Sequence, residues 1–283
     1  MSTTATETVA AEEGPTTPLG ATDPRRRFPI GDLRPGTVIA PLAVGVAALG
    51  LWQLVVTGLD VDSYILPPPS AIWEQLVQAR GNILSGMGVT GRNALLGMLL
   101  GAVVGVLAAI LSSMSRVLDQ MAVPVVAALS VIPIVALAPV LYTMFGAAVN
   151  TWRIIVAALA VCIPVYLNTL RGLRQVSAVH RDLMKAYAAT SRQVIGAVTL
   201  PTATPYVFTG LRIASSLAVI SALIAEYFGG PVGGLGKSIT SAAASSNYPL
   251  AWAYVIGSSV LGLAFYVVTL LVELRFSRHH PKS

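Results

Sequence analysis

The sequence predicts an all-α, polytopic membrane bundle of six transmembrane helices, and two observations carry that prediction. The first is composition. Apolar residues make up 55% of the 283-residue chain and charged residues 11%, with mean hydropathy +0.74. A soluble domain is about a quarter charged. The second is the length of the uncharged runs: Pro35–Leu59, Asn93–Ser115, Gln120–Trp152, Ile154–Leu170, Ile213–Ala225 and Ser238–Val272. A helix needs about 20 apolar residues to cross the hydrocarbon core. Backbone polar groups in lipid must be satisfied within the segment, so helices are the default. The composition excludes a disordered chain. The single cysteine, Cys162, excludes a disulfide framework and a Cys-based zinc cluster.

The spans read as residues 37–59, 92–113, 118–144, 150–171, 203–227 and 249–274. With the N-terminus inside, Arg25, Arg26, Arg27, Arg34, Arg116, Arg171, Arg174, Arg181, Lys185, Arg192, Arg275, Arg278 and Lys282 fall on the cytoplasmic face. Arg80, Arg92, Arg153 and Lys237 fall outside or at the outer rim. That bias gives an N-in, C-in topology in the plasma membrane and accounts for the basic balance without nucleic acid. Residues 1–33, rich in Thr, Glu, Ala and Pro, read as a disordered cytoplasmic tail. Their Arg25–Arg27 cluster suits a topology anchor or a contact with anionic lipid. Residues 34–277 form the transmembrane domain, and 278–283 a second cytoplasmic tail.

Each connection adds information. Pro67, Pro68 and Pro69 fix an extended segment after span 1. Ser70 then stands at an N-cap position, and Ala71–Arg80 has the pattern of a short surface helix. In span 2, Gly97, Gly101 and Gly105 recur every four residues and stack on one face. They suit either a moving interface or static close packing. Pro124, Pro133 and Pro139 all fall in span 3, which suggests a bent helix; Pro133 and Pro139 are pathway candidates, with a harmless kink as the alternative. Between spans 4 and 5 lies the longest cytoplasmic loop, 172–200. Its Leu183, Met184, Ala186, Tyr187, Val194 and Ile195 fit helices lying on the membrane face, with Arg181, Asp182, Lys185 and Arg192 pointing elsewhere. Such a loop suits a protein partner or the lipid surface.

Two charges stand out in span 5. Arg212 falls in its cytoplasmic half, where a charge is a functional candidate by default; it reads as an anion contact or gate, or as an arginine snorkelling or paired within the bundle. Glu226 closes the span on the outer side, as a gate residue or as a carboxylate paired with Lys237. The stretch Pro231–Ser238 is one residue short of a phosphate loop, with Pro231 where glycine is needed. It lacks the strand and the soluble context, and reads as a tight re-entrant turn. His180, His279 and His280 lack companion ligands, so no metal site is expected. Cys162 reads as a packing residue.

The stretch Asp182–Pro201, continuing to Gly210-Leu211-Arg212, resembles the cytoplasmic "EAA" loop of ABC importer permeases. That pattern is Glu-Ala-Ala, three residues, Gly, nine residues, a hydrophobe, one residue, Leu-Pro. Aligned on Leu200-Pro201, Asp182 falls on the Glu, Leu183 and Met184 on the alanines, and Ala188 on the glycine. Leu66–Ser70, Ile163–Thr169, and Ala225-Glu226 with Gly234-Leu235-Gly236 are similar to the branch carrying nitrate, sulfonates, taurine and thiamine-pyrimidine precursors.

The resemblance implies a homodimeric permease that imports a small organic or anionic solute and binds no cofactor itself. Two copies of an ATPase subunit, holding ATP and Mg, would dock on the loop formed by Asp182, Leu183, Met184, Lys185, Ala186, Tyr187, Ala188 and Ala189. A solute-binding protein would dock outside. Asn168, in the Ile163–Thr169 motif, joins Pro133, Pro139, Arg212 and Glu226 as a pathway or gate candidate. The rival reading is an ion-coupled secondary transporter, which usually shows internal repeats and intramembrane acids. A membrane-embedded enzyme would need convergent polar groups that the spans do not offer.

Overall fold

The computed structural model describes residues 35–146, 149–229 and 233–277. The two expected tails, with Arg25–Arg27, lie outside these residues, as do Pro231, His279 and His280. The described residues contain no strand. In chain order the helices are α1 (Pro35–Gly58), α2 (Pro69–Gln78), α3 (Arg80–Met114), α4 (Arg116–Val131), α5 (Ile134–Phe145), α6 (Thr151–Arg174), α7 (Ala178–Ala186), α8 (Ser191–Val194), α9 (Leu200–Tyr227), α10 (Leu235–Ala244) and α11 (Tyr248–Ser277). Five helical rods are long and apolar enough to span a membrane, and the bent pair α4–α5 makes a sixth. Packing divides the chain into Met1–Leu51 and Trp52–Ser283. The described part of the first unit is the leading stretch of α1, with Pro41 within it.

In the second unit, α6 lies at the centre, packed on α3 along one side and α9 along another. More than half of its apolar window is buried, against less than a third of α3's. Lipid is as apolar as leucine, so helix association in a bilayer depends on close approach rather than on a hydrophobic drive. Glycine supplies that approach here. A Cβ on Gly97 would stand 2.5 Å from the Cβ of Ala157, and one on Gly105 would stand 2.7 Å from the carbonyl oxygen of Cys162. Gly101 sits directly on Ala158 and Val161. On the other side of α6, Gly210 lies against Asn168 and Val165, and Gly172 against Tyr206. The opposite face of α3 exposes Leu99, Leu100, Val103, Leu107 and Leu111 to the bilayer.

Four elements differ from the sequence reading. Helix α3 starts at Arg80, well before the expected 92, because Gly86 packs on Leu235 and Gly91 on Leu261, and Ile83 is buried. The glycine-rich composition of 81–91 reads as a loop, and tertiary contact overrides it. Span 3 is two helices bent by 97°. Ile132 is extended (ψ 121°), as the steric clash before proline favours, and Pro133 is extended as well (ψ 105°). Pro124 and Pro139 lie inside α4 and α5 without ending them. An apolar cavity of about 40 Å³ sits beside the break, lined by Leu129, Ile132, Ile134, Leu159 and Cys162 among others. Ser70 is not the N-cap of the short helix. Pro68 takes that position, Pro69 opens α2, and the Ser70 amide donates to Gln53 Oε1 at 3.1 Å. Finally, residues 191–199 are not a helix separate from span 5. They form α8 and one π-helical turn, Ile195–Thr199, and run straight into α9 as a single 37-residue rod, Ser191–Tyr227.

The glycine seam makes a direct prediction. Gly101→Ala should lower stability by about 1–3 kcal/mol, because a methyl group there meets backbone. Gly88→Ala meets nothing within 4 Å and should be neutral or gain up to about 1 kcal/mol from helix propensity. Thermal unfolding of the detergent-solubilised protein measures both.

Candidate functional site

The side chains that bear on function gather at three places along the α6–α9 core. The first is the end of the bundle where α9 stops and α10 begins. A helix N-terminus presents amide hydrogens that have no partner within the helix. The residue preceding α10 is Gly234, which has no side chain to cap with. Glu226, from the last turn of α9, supplies the acceptor. Its Oε2 accepts from the Gly236 amide at 2.9 Å and from Thr90 Oγ1 at 2.9 Å. Asn93 Nδ2 reaches Oε1 at 3.5 Å. The Leu235 amide donates to Thr90 Oγ1 at 2.9 Å, which leaves that hydroxyl both accepting and donating.

Arg153 closes the set from α6. It donates to Asn150 Oδ1 at 3.0 Å and to the Gly229 carbonyl at 2.8 Å, and its charge acts on Glu226. Thr90, Asn93, Arg153 and Glu226 are all essentially inaccessible to solvent. Gly234 and Gly236 press directly on the Glu226 side chain. Gly229 and Gly233 both take φ +132°, a backbone region that favours glycine.

Of the two readings open for Glu226, the pairing with Lys237 is not made; its carboxylate is answered by Thr90, Asn93 and the Gly236 amide. Arg153, expected outside or at the outer rim, is buried at the start of α6. In the stretch expected as a tight turn, the Gly236 amide meets the chain's own carboxylate and the Leu235 amide meets Thr90. The sequence reading also left out α10, which begins at the edge of the long uncharged run Ser238–Val272 that was read as containing the last span. Thr90 and Asn93 were detectable only as a polar pair three residues apart at the edge of an apolar run.

The second place is the ion pair between Arg212 on α9 and Glu273 on α11, 3.1 Å apart and largely buried on the carboxylate side. Of the two readings open for Arg212, the structure supplies the partner within the bundle. Glu273 was the lone acid in the last apolar run, and that was the available signal. Asn168 donates to the Pro164 carbonyl at 2.8 Å and packs on Gly210. Pro133 and Pro139 lie at the α4–α5 break and inside α5. The five pathway candidates therefore occupy separate positions and do not converge on one site.

The third place is α7, at the opposite end of α9 from Glu226. Ser177 caps it, accepting from the His180 amide at 3.3 Å. Thr190 and Gln193 form a capping box on α8. Between them the chain turns through Ala188, which adopts φ +47°. That is the position at which the importer pattern has glycine, so the left-handed turn is kept although the glycine is not. Val179, Leu183 and Tyr187, four residues apart, form an exposed apolar stripe. Met184 and Ala189 turn inward and are half-buried. Asp182 and Lys185 pair at 3.2 Å in full exposure beside the stripe. Below it, Asp119 at the start of α4 pairs with Arg174 at the end of α6.

Residues 101–278 match the family described as the binding-protein-dependent transport system inner membrane component. The chain belongs to this family. A relative in Haemophilus influenzae named "Probable ABC transporter permease protein" is 31% identical, over 81% of this chain and 93% of that one. The formylaminopyrimidine transport permease ThiX of Halalkalibacterium halodurans is 29% identical over 59% of this chain and 66% of its own length. The nitrate import permease NrtB of Synechococcus elongatus is 28% identical over 69% and 72%. The fold is shared with a solved amino acid ABC transporter crystallised with histidines, at TM-score 0.60 and 16% identity, over 70% of this chain and 96% of that one. The permease is thus an inner-membrane component of an ABC importer. Its family works with an ATPase subunit and a solute-binding protein, and hydrolysis belongs to the ATPase.

Two outcomes check these geometries. Ala188→Gly should raise stability, removing a left-handed penalty of about 1 kcal/mol, whereas Ala188→Val should lower it; thermal unfolding reads both. Arg212→Gln should weaken the fold by leaving Glu273 without its cation, and Arg212→Gln with Glu273→Gln should recover most of the loss, as a double-mutant cycle of melting temperatures would show.

Proposed function

We propose that this permease works as a homodimer, N-in and C-in, with α7 serving as the docking element for two copies of the ATPase. One observation carries this reading. A capped nine-residue helix holds an unpartnered apolar stripe, Val179, Leu183 and Tyr187, directly before a rod that runs through the membrane. Exposed apolar side chains flanked by charge suit a protein groove. At 1.5 Å per residue, the Ser191–Tyr227 rod is about 55 Å long, enough to cross the bilayer and project on one side. Displacement at α7 therefore has a continuous helical path into the bundle, through the π-helical turn Ile195–Thr199. ATP and Mg are held by the ATPase subunits. Among the described residues, the glycine-rich start of α10 is occupied by Glu226.

The translocation pathway lies between the two copies. A groove of about 260 Å³ between α9 and α11 is open in one protomer, with Ser216, Ser258 and Ser259 in its lining. Exposed hydroxyls well inside a span suit a pathway better than lipid. The solute is a small organic or anionic molecule of the sulfonate, nitrate or pyrimidine type. The relatives support that range and do not narrow it, since permeases named for formylaminopyrimidine and for nitrate are about equally similar.

Lys185→Glu combined with Tyr187→Ala should strip the ATPase from the purified complex and abolish ATP-driven uptake into vesicles, while the permease itself still inserts and folds. Unchanged co-purification and unchanged coupling would remove α7 from this role.

A further inference from the structure

The buried charge cluster at the α10 end is the one polar structure that the docking role of α7 leaves unused. It adds a polar tie between four segments that already pack on one another: α3 through Thr90 and Asn93, the start of α6 through Asn150 and Arg153, the end of α9 through Glu226 and Gly229, and the start of α10 through Leu235 and Gly236. Burying a carboxylate and a guanidinium is costly unless every lone pair and hydrogen is answered. Simple helix packing needs neither charge, as the glycine-lined α3–α6 seam with its neutral Tyr166–Ser112 hydroxyl pair demonstrates. The cluster also stands at one end of the same rod that carries α7 at the other.

We propose that Glu226 is a positioning residue for transport: it locks the far end of the Ser191–Tyr227 rod to α3, α6 and α10, so that a displacement at α7 moves that end as one body. This rests on the docking role of α7. Coupling between two sites requires an element with two arrangements that both sites bias. A rod free to slide at its far end would transmit nothing. With Glu226 seated on the Gly236 amide and Thr90, the rod ends in a four-segment block. Because coupling is reciprocal, loaded binding protein acting on that block signals back to the ATPase along the same path. Glu226 touches no solute in this arrangement, since it is enclosed on all sides.

The experiment uses the full complex of permease, ATPase and binding protein in proteoliposomes. Three quantities are read: ATPase co-purification with basal hydrolysis, the stimulation of hydrolysis by loaded binding protein, and uptake. Glu226→Gln should keep assembly and basal hydrolysis, while stimulation and uptake fall about tenfold. Gly234→Ala, whose new methyl would meet the Glu226 carboxylate itself, should give the same split with the carboxylate present. Arg153→Gln added to Glu226→Gln removes the orphaned cation and should recover part of the stimulation. Wild-type stimulation in both single variants would overturn the proposal. A parallel loss of assembly, basal hydrolysis and uptake would also overturn it, because that is the result of simple misfolding. Loss of the ATPase in Lys185→Glu/Tyr187→Ala tests α7 separately, so failure of the docking role and failure of Glu226 are distinguishable.

Discussion

A carboxylate enclosed in an apolar bundle sets the terms for everything near it. Glu226 must have its oxygens answered, and the molecule answers them with an amide from α10, a hydroxyl and a carboxamide from α3, and the charge of an arginine on α6. The donors tie the end of α9 to the starts of α6 and α10 and to the first half of α3. The glycines at 229, 233, 234 and 236 follow from the same demand, two for their backbone angle and two for the space beside the carboxylate. The result is an anion site at a helix N-terminus in which the anion belongs to the protein.

The rest of the bundle obeys a different constraint. Lipid gives no credit for burying leucine, so the helices hold together where their backbones can touch. Gly97, Gly101, Gly105, Gly172 and Gly210 let α6 sit between α3 and α9 at close range. Leucine and valine are left to face the bilayer. Among the described residues, the apolar stretch of α4 and α5 is bent by 97° at Ile132–Pro133.

The number of spans was legible because bilayer thickness fixes a length, and charge gaps of that length are hard to produce otherwise. The Gly97/Gly101/Gly105 stripe was legible because helical period alone places these residues on one face. Ala188, which the alignment on Leu200-Pro201 sets at the glycine of the importer pattern, takes φ +47°, the backbone region glycine favours. The partners of Glu226, Arg153 and Arg212 were not legible. Thr90 and Glu226 are 136 residues apart, and nothing local in either stretch names the other. The first turns of α3 were hidden for a related reason: glycine carries a weak local signal, and only the neighbours make them helical.

The central claim is that α7 faces the cytoplasm and is covered there by an ATPase. With Cys162 replaced by serine, a cysteine at position 187 can be probed in sealed vesicles of known orientation with a membrane-impermeant maleimide. The account predicts labelling only from the cytoplasmic side, and protection when the ATPase is assembled. Labelling from the extracytoplasmic side, or equal labelling with and without the ATPase, would contradict it.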